Sequence, residues 1–178
     1  MQHRNFSSQR LDMILIHKEH AQQTHSFLQN PDLYTYLPKD PPTLLAVEKQ
    51  YRFWEDRSSP DGSEYWLNWV VFYKKICIGT LQAGVQRSTK VASIAYMIST
   101  AYQGQGFATE AVAAMIEHIR CDYRVKLIKA WIDTRNLPSI RLVERLGLER
   151  VERIEKADHF KGQDSDEFVY QKELEEGA

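Results

Sequence analysis

Tyr102-Gln103-Gly104-Gln105-Gly106-Phe107-Ala108-Thr109 is the stretch on which the fold turns. Before it, Val91 to Ile98 alternates at the period of a strand: Ile94, Tyr96 and Ile98 share one face, and Ser93, Ala95 and Met97 the other. After it, Ala108, Ala111, Val112, Met115, Ile116 and Ile119 recur at helical spacing and make one apolar stripe. A glycine turn between a strand end and a helix start lines up successive backbone N–H groups as an anion site. Glycine lets the backbone approach a phosphate closely, and the small Ala108 and Thr109 keep the helix start uncluttered. Three readings compete. A P-loop ends in Gly-Lys-Ser/Thr, whereas Phe107-Ala108 stands there. A dinucleotide fingerprint would use Gly104 and Gly106, but it needs glycine or alanine at Thr109 and a parallel β-α-β unit. The third reading is a plain helix entry.

Working outward, Tyr65–Tyr73 and Ile76–Val85 read as strands joined to Val91–Ile98 by short polar turns, an antiparallel meander. Leu11–Ile16 is a further strand, followed by a helix over 17–30 that Pro31 stops. Asp32 to Thr43 carries three prolines in a dozen residues and reads as loop. Thr43 caps a helix running to about Asp56. Beyond the glycine turn come a strand over 125–132, a helix over 136–146 closed by Gly147, and a last pair of strands over 148–154 and 166–174. The order β-α-α-β-β-β-α-β-α-β-β predicts a mixed α/β (α+β) domain. Its twisted, mostly antiparallel sheet has about seven strands, flanked by about four helices.

With 178 residues the chain suits a single domain over 1–178, with a core from about 8 to 174. A net charge of −1 gives no electrostatic reason to expect direct nucleic-acid binding or an anionic membrane as partner. Cys77 and Cys121 lack the spacing of a zinc site or a disulfide framework. The opening MQHRNFSSQR has no apolar h-region and no stretch approaches a membrane span, so the expected location is the cytoplasm. His17, His20 and His25 lack an HExxH pattern or a neighbouring cysteine and read as solvated helix histidines, with no metal expected.

Gln103-x-x-Gly106-x-Ala108 after the strand resembles the pyrophosphate-binding motif of the GNAT superfamily of acetyl-CoA-dependent N-acetyltransferases. Asn136-x-x-Ser139 with Val143-Glu144-Arg145-Leu146-Gly147-Leu148 is similar to that family's next block. The opening Ser8-Gln9-Arg10-Leu11 and the closing Asp158-His159-Phe160-Lys161-Gly162 resemble its RimJ/RimL-type, ribosomal-protein branch. The resemblance implies a GNAT fold and acetyl-CoA as cosubstrate. Backbone amides from Gln103 or Gly104 through Gln105, Gly106, Phe107, Ala108 and Thr109 would hold the pyrophosphate. The strand edge at Met97, Ile98 and Ser99 would pair with the pantetheine amides, with a bulge there aiming an N–H at the thioester carbonyl.

Asn136 contacts the pantetheine arm in the family, and as a residue before Leu137-Pro138 it also suits a helix N-cap. Many members use a tyrosine four positions after Ser139 to protonate the departing thiolate. Val143 stands there, which moves the catalytic assignment to Ser139. Relatives often carry a glutamate base where Ala92-Ser93 stands; a water relay or a distant residue, His159 or Glu64, would have to take its place. The Tyr34 to Pro42 loop is the candidate acceptor groove, and Trp69 is expected in the core.

The implied partner is an acceptor amine, either a protein N-terminus or a small amine such as a polyamine or aminoglycoside. A second copy of the chain in a homodimer is a further candidate. The reading of a different class is a non-catalytic acyl-CoA sensor, kept open by Val143 and Ser93.

Overall fold

The computed structural model describes residues 3–175. The strands are β1 (Phe6–Ser7), β2 (Leu11–Leu15), β3 (Glu64–Tyr73), β4 (Ile76–Gln86), β5 (Val91–Ile98), β6 (Leu127–Asp133), β7 (Glu149–Phe160) and β8 (Gln163–Glu173). The helices are α1 (Ala21–Leu28), α2 (Leu44–Trp54), α3 (Phe107–Tyr123) and α4 (Leu137–Arg145). All eight strands form one sheet in the order β1-β2-β3-β4-β5-β6-β8-β7. The expected seven gain the two-residue β1, which pairs Phe6 with Met13 and is too short to carry a period of its own.

The meander is as read: β3, β4 and β5 pair antiparallel. The same β5 also begins a parallel unit, because α3 carries the chain over to β6. That pairing spans only Val91–Ser93 against Leu127–Lys129. From Ile94 onward β5 leaves β6, which continues against β8 as far as Asp133 with Glu167. A wedge therefore opens between the C-terminal halves of two neighbouring strands.

Helices pack on both faces of the sheet. On one face α3 buries Phe107, Ala111, Val112, Met115 and Ile119 against Leu67, Trp69, Leu81 and Ala92. The other face is covered by α1 and α2 through Ala21, Phe27, Val47 and Tyr51 against Ile16 and Val70. Burying such side chains contributes about 1.5–3 kcal/mol each, which sets sheet and helices rigidly against one another. Gly79 keeps β4 close to β5: a Cβ there would lie 2.4 Å from the Met97 carbonyl oxygen and 2.5 Å from Ile98 Cδ1. Gly79→Ala should cost about 1–3 kcal/mol of stability by overpacking. A urea midpoint unchanged from wild type would contradict this.

Some boundaries differ from the sequence reading. The first helix begins as a 3-10 turn at Lys18–His20, because the His20 ring accepts the His17 amide at 3.0 Å and tightens the chain there. The loop expected after residue 154 is a long hairpin instead: β7 runs to Phe160 and turns at Lys161 and Gly162, both at positive φ. Its solvated residues show no apolar alternation, and shifts at Arg150/Glu152 and Ile154/Asp158 blur the period further. Gly147 closes α4 as expected, at φ 79°, with Leu148 N–H donating to Val143 O and Gly147 N–H to Glu144 O.

Candidate functional site

The glycine segment leads into the N-terminus of the 17-residue α3, with Gly104 at φ 73° and Gly106, the N-cap, at φ 81°. Glycine tolerates these left-handed conformations without the Cβ penalty. The first bond of the helix runs from Glu110 N–H to Gly106 O. Among the described residues the amides of Gly104, Gln105 and Gly106 meet no acceptor. Those of Phe107, Ala108 and Thr109 stand in the first turn, where no preceding carbonyl reaches them. A side chain added at Gly104 would meet nothing within 4 Å, so this cradle opens outward. The Phe107 ring, 2% exposed, packs at a 45° tilt with its centroid 4.6 Å from that of Tyr73 and anchors the turn.

Gln103 serves differently from the expectation. Its amide donates to Thr100 O at 3.3 Å, and its side chain Nε2 donates to Ile98 O at 2.9 Å. It latches the turn to the end of β5 and leaves the unpartnered amides to begin at Gly104. Gln105 likewise spends its side-chain amide on Ala101 O at 3.2 Å.

The β5 edge can be resolved residue by residue. Ser99 N–H donates to Ile78 O at 2.8 Å, and β4 and β5 stay in register from Gly79 with Ile98 to Val85 with Ala92. Alternation in an antiparallel ladder then turns the amides of Ser93, Ala95, Met97 and Ser99 toward β4, and those of Ile94, Tyr96 and Ile98 toward the wedge. Of the expected edge residues Met97, Ile98 and Ser99, it is Ile98, with Tyr96, whose backbone faces the opening. The expected bulge is absent from the β4–β5 ladder. The irregularity lies in the β3–β4 ladder instead, where Val71 pairs with Gly79 and Phe72 with Cys77.

Across the wedge stands α4. Asn136 is its N-cap, its side-chain oxygen accepting the Ser139 amide at 3.3 Å. The carboxamide nitrogen remains available as a donor. Ser139 is half-buried and its hydroxyl makes no hydrogen bond among the described residues, while its carbonyl is approached by Tyr96 OH at 3.5 Å. Burial raises the Tyr96 pKa against a smaller opposing effect of the Ser139 bond, so the phenol is protonated at neutral pH. Val143 is fully buried, which removes that position from any chemistry.

Asp133 holds the turn before α4. Its buried carboxylate accepts from Arg135 N–H at 2.8 Å, Arg135 Nε at 2.9 Å and Ser165 Oγ at 2.7 Å, and its backbone oxygen accepts Asn136 N–H at 2.9 Å. Burial pushes the carboxyl pKa up, but the bonds from Arg135 and Ser165 outweigh it and leave it below the ordinary range. No sequence motif pointed to Asp133.

The proposed distant bases separate. Glu64 accepts from Trp66 Nε1 at 3.0 Å, beside Gly84, which pairs with Ser93. Ser93 is where the resemblance expects a glutamate base, so the Glu64 carboxylate stands beside that position, at the point where β5 leaves β6 and about 17 Å from the Ile98 end of the strand. His159 is exposed and its ring pairs with Asp164 at 2.7 Å. Its neighbours Asp158 and Phe160 alternate to the other face, where Phe160 lies 5.6 Å under the Arg135 guanidinium. His159 thus faces away from α4. The same face carries Glu167, whose pKa is raised by burial and then by the Asp158 and Asp133 carboxylates. An elevated carboxyl beside a cleft is a candidate acid–base group.

The proline-rich loop lies between these parts. Asn30 Nδ2 donates to Thr100 Oγ1 at 2.8 Å on the glycine-turn side, and Lys161 Nζ donates to Tyr34 O on the hairpin side. Tyr34 itself is 5% exposed and bonds Leu28 O, so it belongs to the core, as does the fully buried Trp69. The histidines also divide. His17 comes together with Glu19 and Glu55, their ligand atoms within 4.8 Å of one another, and His25 is not in that group. The Arg57 guanidinium stands 3.3 Å from His17 Nε2, which opposes a cation there.

The chain matches the Acetyltransferase (GNAT) domain over residues 10–149. A probable N-acetyltransferase, YjcK of Bacillus subtilis, is 29% identical over 110 residues, 61% of this chain, and the match spans only about 60% of that relative's length. Among solved structures, a RimL ribosomal alpha-N-protein acetyltransferase in complex with coenzyme A superposes with a TM-score of 0.84 at 17% identity, covering 94% of this chain and 96% of that one. The Salmonella typhimurium acetyltransferase that modifies the N-terminal serine of a 50S ribosomal protein gives 0.83 at 18% identity, covering 94% and 97%. No helix among the described residues is long and apolar enough to cross a membrane. With its wedge, its glycine turn and this family match over most of its length, the chain belongs to the GNAT acetyltransferases.

Proposed function

We propose that this acetyltransferase uses acetyl-CoA to acetylate a primary amine, foremost a protein N-terminal α-amine, by direct attack in a ternary complex. The observation that carries the reading is the wedge. It sets the open amides of Gly104–Thr109 at one end of a gap whose walls are the β5 edge at Tyr96 and Ile98 and the α4 start at Asn136 and Ser139. The amides would hold the pyrophosphate, the Tyr96 and Ile98 backbone and the Asn136 carboxamide the pantetheine, and acetyl-CoA supplies an activated thioester.

The acceptor follows from proton energetics. A lysine side chain (pKa about 10.4) needs roughly 3.4 kcal/mol more help to deprotonate at neutral pH than an α-amine near 7.7–8.0. Asp158 and Glu167, on the face that carries Phe160, supply negative charge for an ammonium ion and a carboxyl to receive its proton. The same carboxylates favour a second reading, a small cationic amine such as a polyamine. Calorimetry with acetyl-CoA tests the first half. Thiol release against a free amino-terminal peptide, an Nα-blocked lysine peptide and spermidine tests the second. Release only with the free amino terminus is expected; release only with spermidine selects the polyamine reading, and no acetyl-CoA binding removes both.

Ser139 is assigned as the group that passes a proton to the departing thiolate, its half-buried hydroxyl taking a replacement proton from solvent in the same step. Its backbone, not its hydroxyl, makes the structural bonds, so Ser139→Ala leaves those bonds in place. Turnover should fall about 100-fold with acetyl-CoA affinity within threefold of wild type. Equal losses in both would make Ser139 a binding residue instead.

A further inference from the structure

Ser8-Gln9-Arg10-Leu11 forms the turn between β1 and β2, closed by Ser8 N–H donating to Leu11 O at 2.9 Å. It lies about a hundred residues from the glycine turn in sequence, yet it is bound to it. Ser8 Oγ and the Arg10 amide both donate to Glu110 Oε1, at 2.7 and 2.8 Å, and Arg10 Nε to Glu110 Oε2 at 2.6 Å. Both terminal nitrogens of Arg10 reach Gln105 O at 3.4 Å, and its guanidinium lies 4.4 Å over the Phe107 ring. A carbon placed on Gly106 would lie 3.5 Å from Arg10 Nη2.

We propose that Arg10 is a positioning residue for the pyrophosphate turn: it holds the Gln105 carbonyl and cancels the charge of Glu110, so the open amides face an anion with no bare carboxylate beside them. The inference rests on the acetyl-CoA reading above. Glu110 stands in the first turn of α3, where a carboxylate suits the helix dipole but opposes a second anion at the same terminus. Burial alone would push its pKa up. The bonds from Ser8 and Arg10 prevail and hold it below the ordinary range, and the Arg10 guanidinium is the cation that faces the carboxylate. A guanidinium can grip Glu110 and Gln105 O at once; an ammonium provides the charge without that fork.

The test is calorimetric titration of wild type, Arg10→Ala, Arg10→Lys and Arg10→Ala/Glu110→Gln with acetyl-CoA and with S-acetylpantetheine, which lacks the pyrophosphate. Arg10→Ala should weaken acetyl-CoA by roughly tenfold and S-acetylpantetheine by less than twofold. Arg10→Lys should fall between, and the double variant should regain most of the loss because the uncovered carboxylate is gone. Arg10→Ala binding acetyl-CoA like wild type, or losing both ligands equally, overturns the inference and leaves the cofactor reading standing. A double variant as weak as Arg10→Ala overturns the role assigned to Glu110. Wild type that binds no acetyl-CoA overturns the underlying reading and this inference together.

Discussion

Gly106→Trp is expected to abolish acetyl-CoA binding, with affinity falling more than about 100-fold, while the chain stays folded. Two costs combine at this position. A non-glycine residue at φ 81° is strained by about 1–2 kcal/mol. That is a loss of a few degrees in Tm for a domain of this size. The larger effect is steric, because an indole at the N-cap of α3 would stand among the open amides and against Arg10, 3.5 Å from the first carbon. Gly106→Ala separates the two costs, since it carries the same backbone strain with a single methyl group. Calorimetry on both variants, with melting curves alongside, reads them apart. Trp and Ala variants with equal affinity would mean that backbone conformation, not space, governs binding here.

Asp133→Ala should be the most destabilising single change at the site, by about 2–4 kcal/mol, because it strips a buried carboxylate from its guanidinium and hydroxyl partners. Asp133 is 5% exposed and ties β6, the α4 turn and β8 together through Arg135, Asn136 and Ser165. The effect carries a pH signature. Its folded pKa lies below its value in the unfolded chain, about 3.9. The stabilisation is therefore fully present above pH 4 or so, and is lost as the pH falls through the folded value. Urea midpoints should show a constant gap between wild type and Asp133→Ala from pH 8 to 5, narrowing below pH 4. A gap that widens on acidification would mean that Asp133 is held protonated. The variant should also lose turnover, since the residues that follow Asp133 position Asn136 and Ser139.

Much of this was legible in the chain because it is local. The strand before the glycine turn, the stripe of α3 after it, the cap at Asn136 and the Gly147 stop each lie within a few residues of the side chains that specify them. What escaped is what a short window cannot hold. The β7–β8 hairpin carries few apolar residues and is stabilised by pairing along its whole length, so its true extent shows only in the register. That Glu64 comes beside Ser93, by way of Gly84, shows only in the strand pairing. Gln103 looked like part of the anion cradle until its two hydrogen bonds, to Thr100 and Ile98, were in view.

By itself, the sequence determined that a glycine turn joins a strand to an amphipathic helix. Backbone sterics and helical periodicity act over neighbouring residues and need no tertiary partner to be read. Only the tertiary structure decided that β5 and β6 part after Ser93, which amides of β5 face the gap, and that Arg10 closes on Glu110. Those outcomes depend on how two helical layers pack against one sheet, and on charges a hundred residues apart in sequence meeting across it.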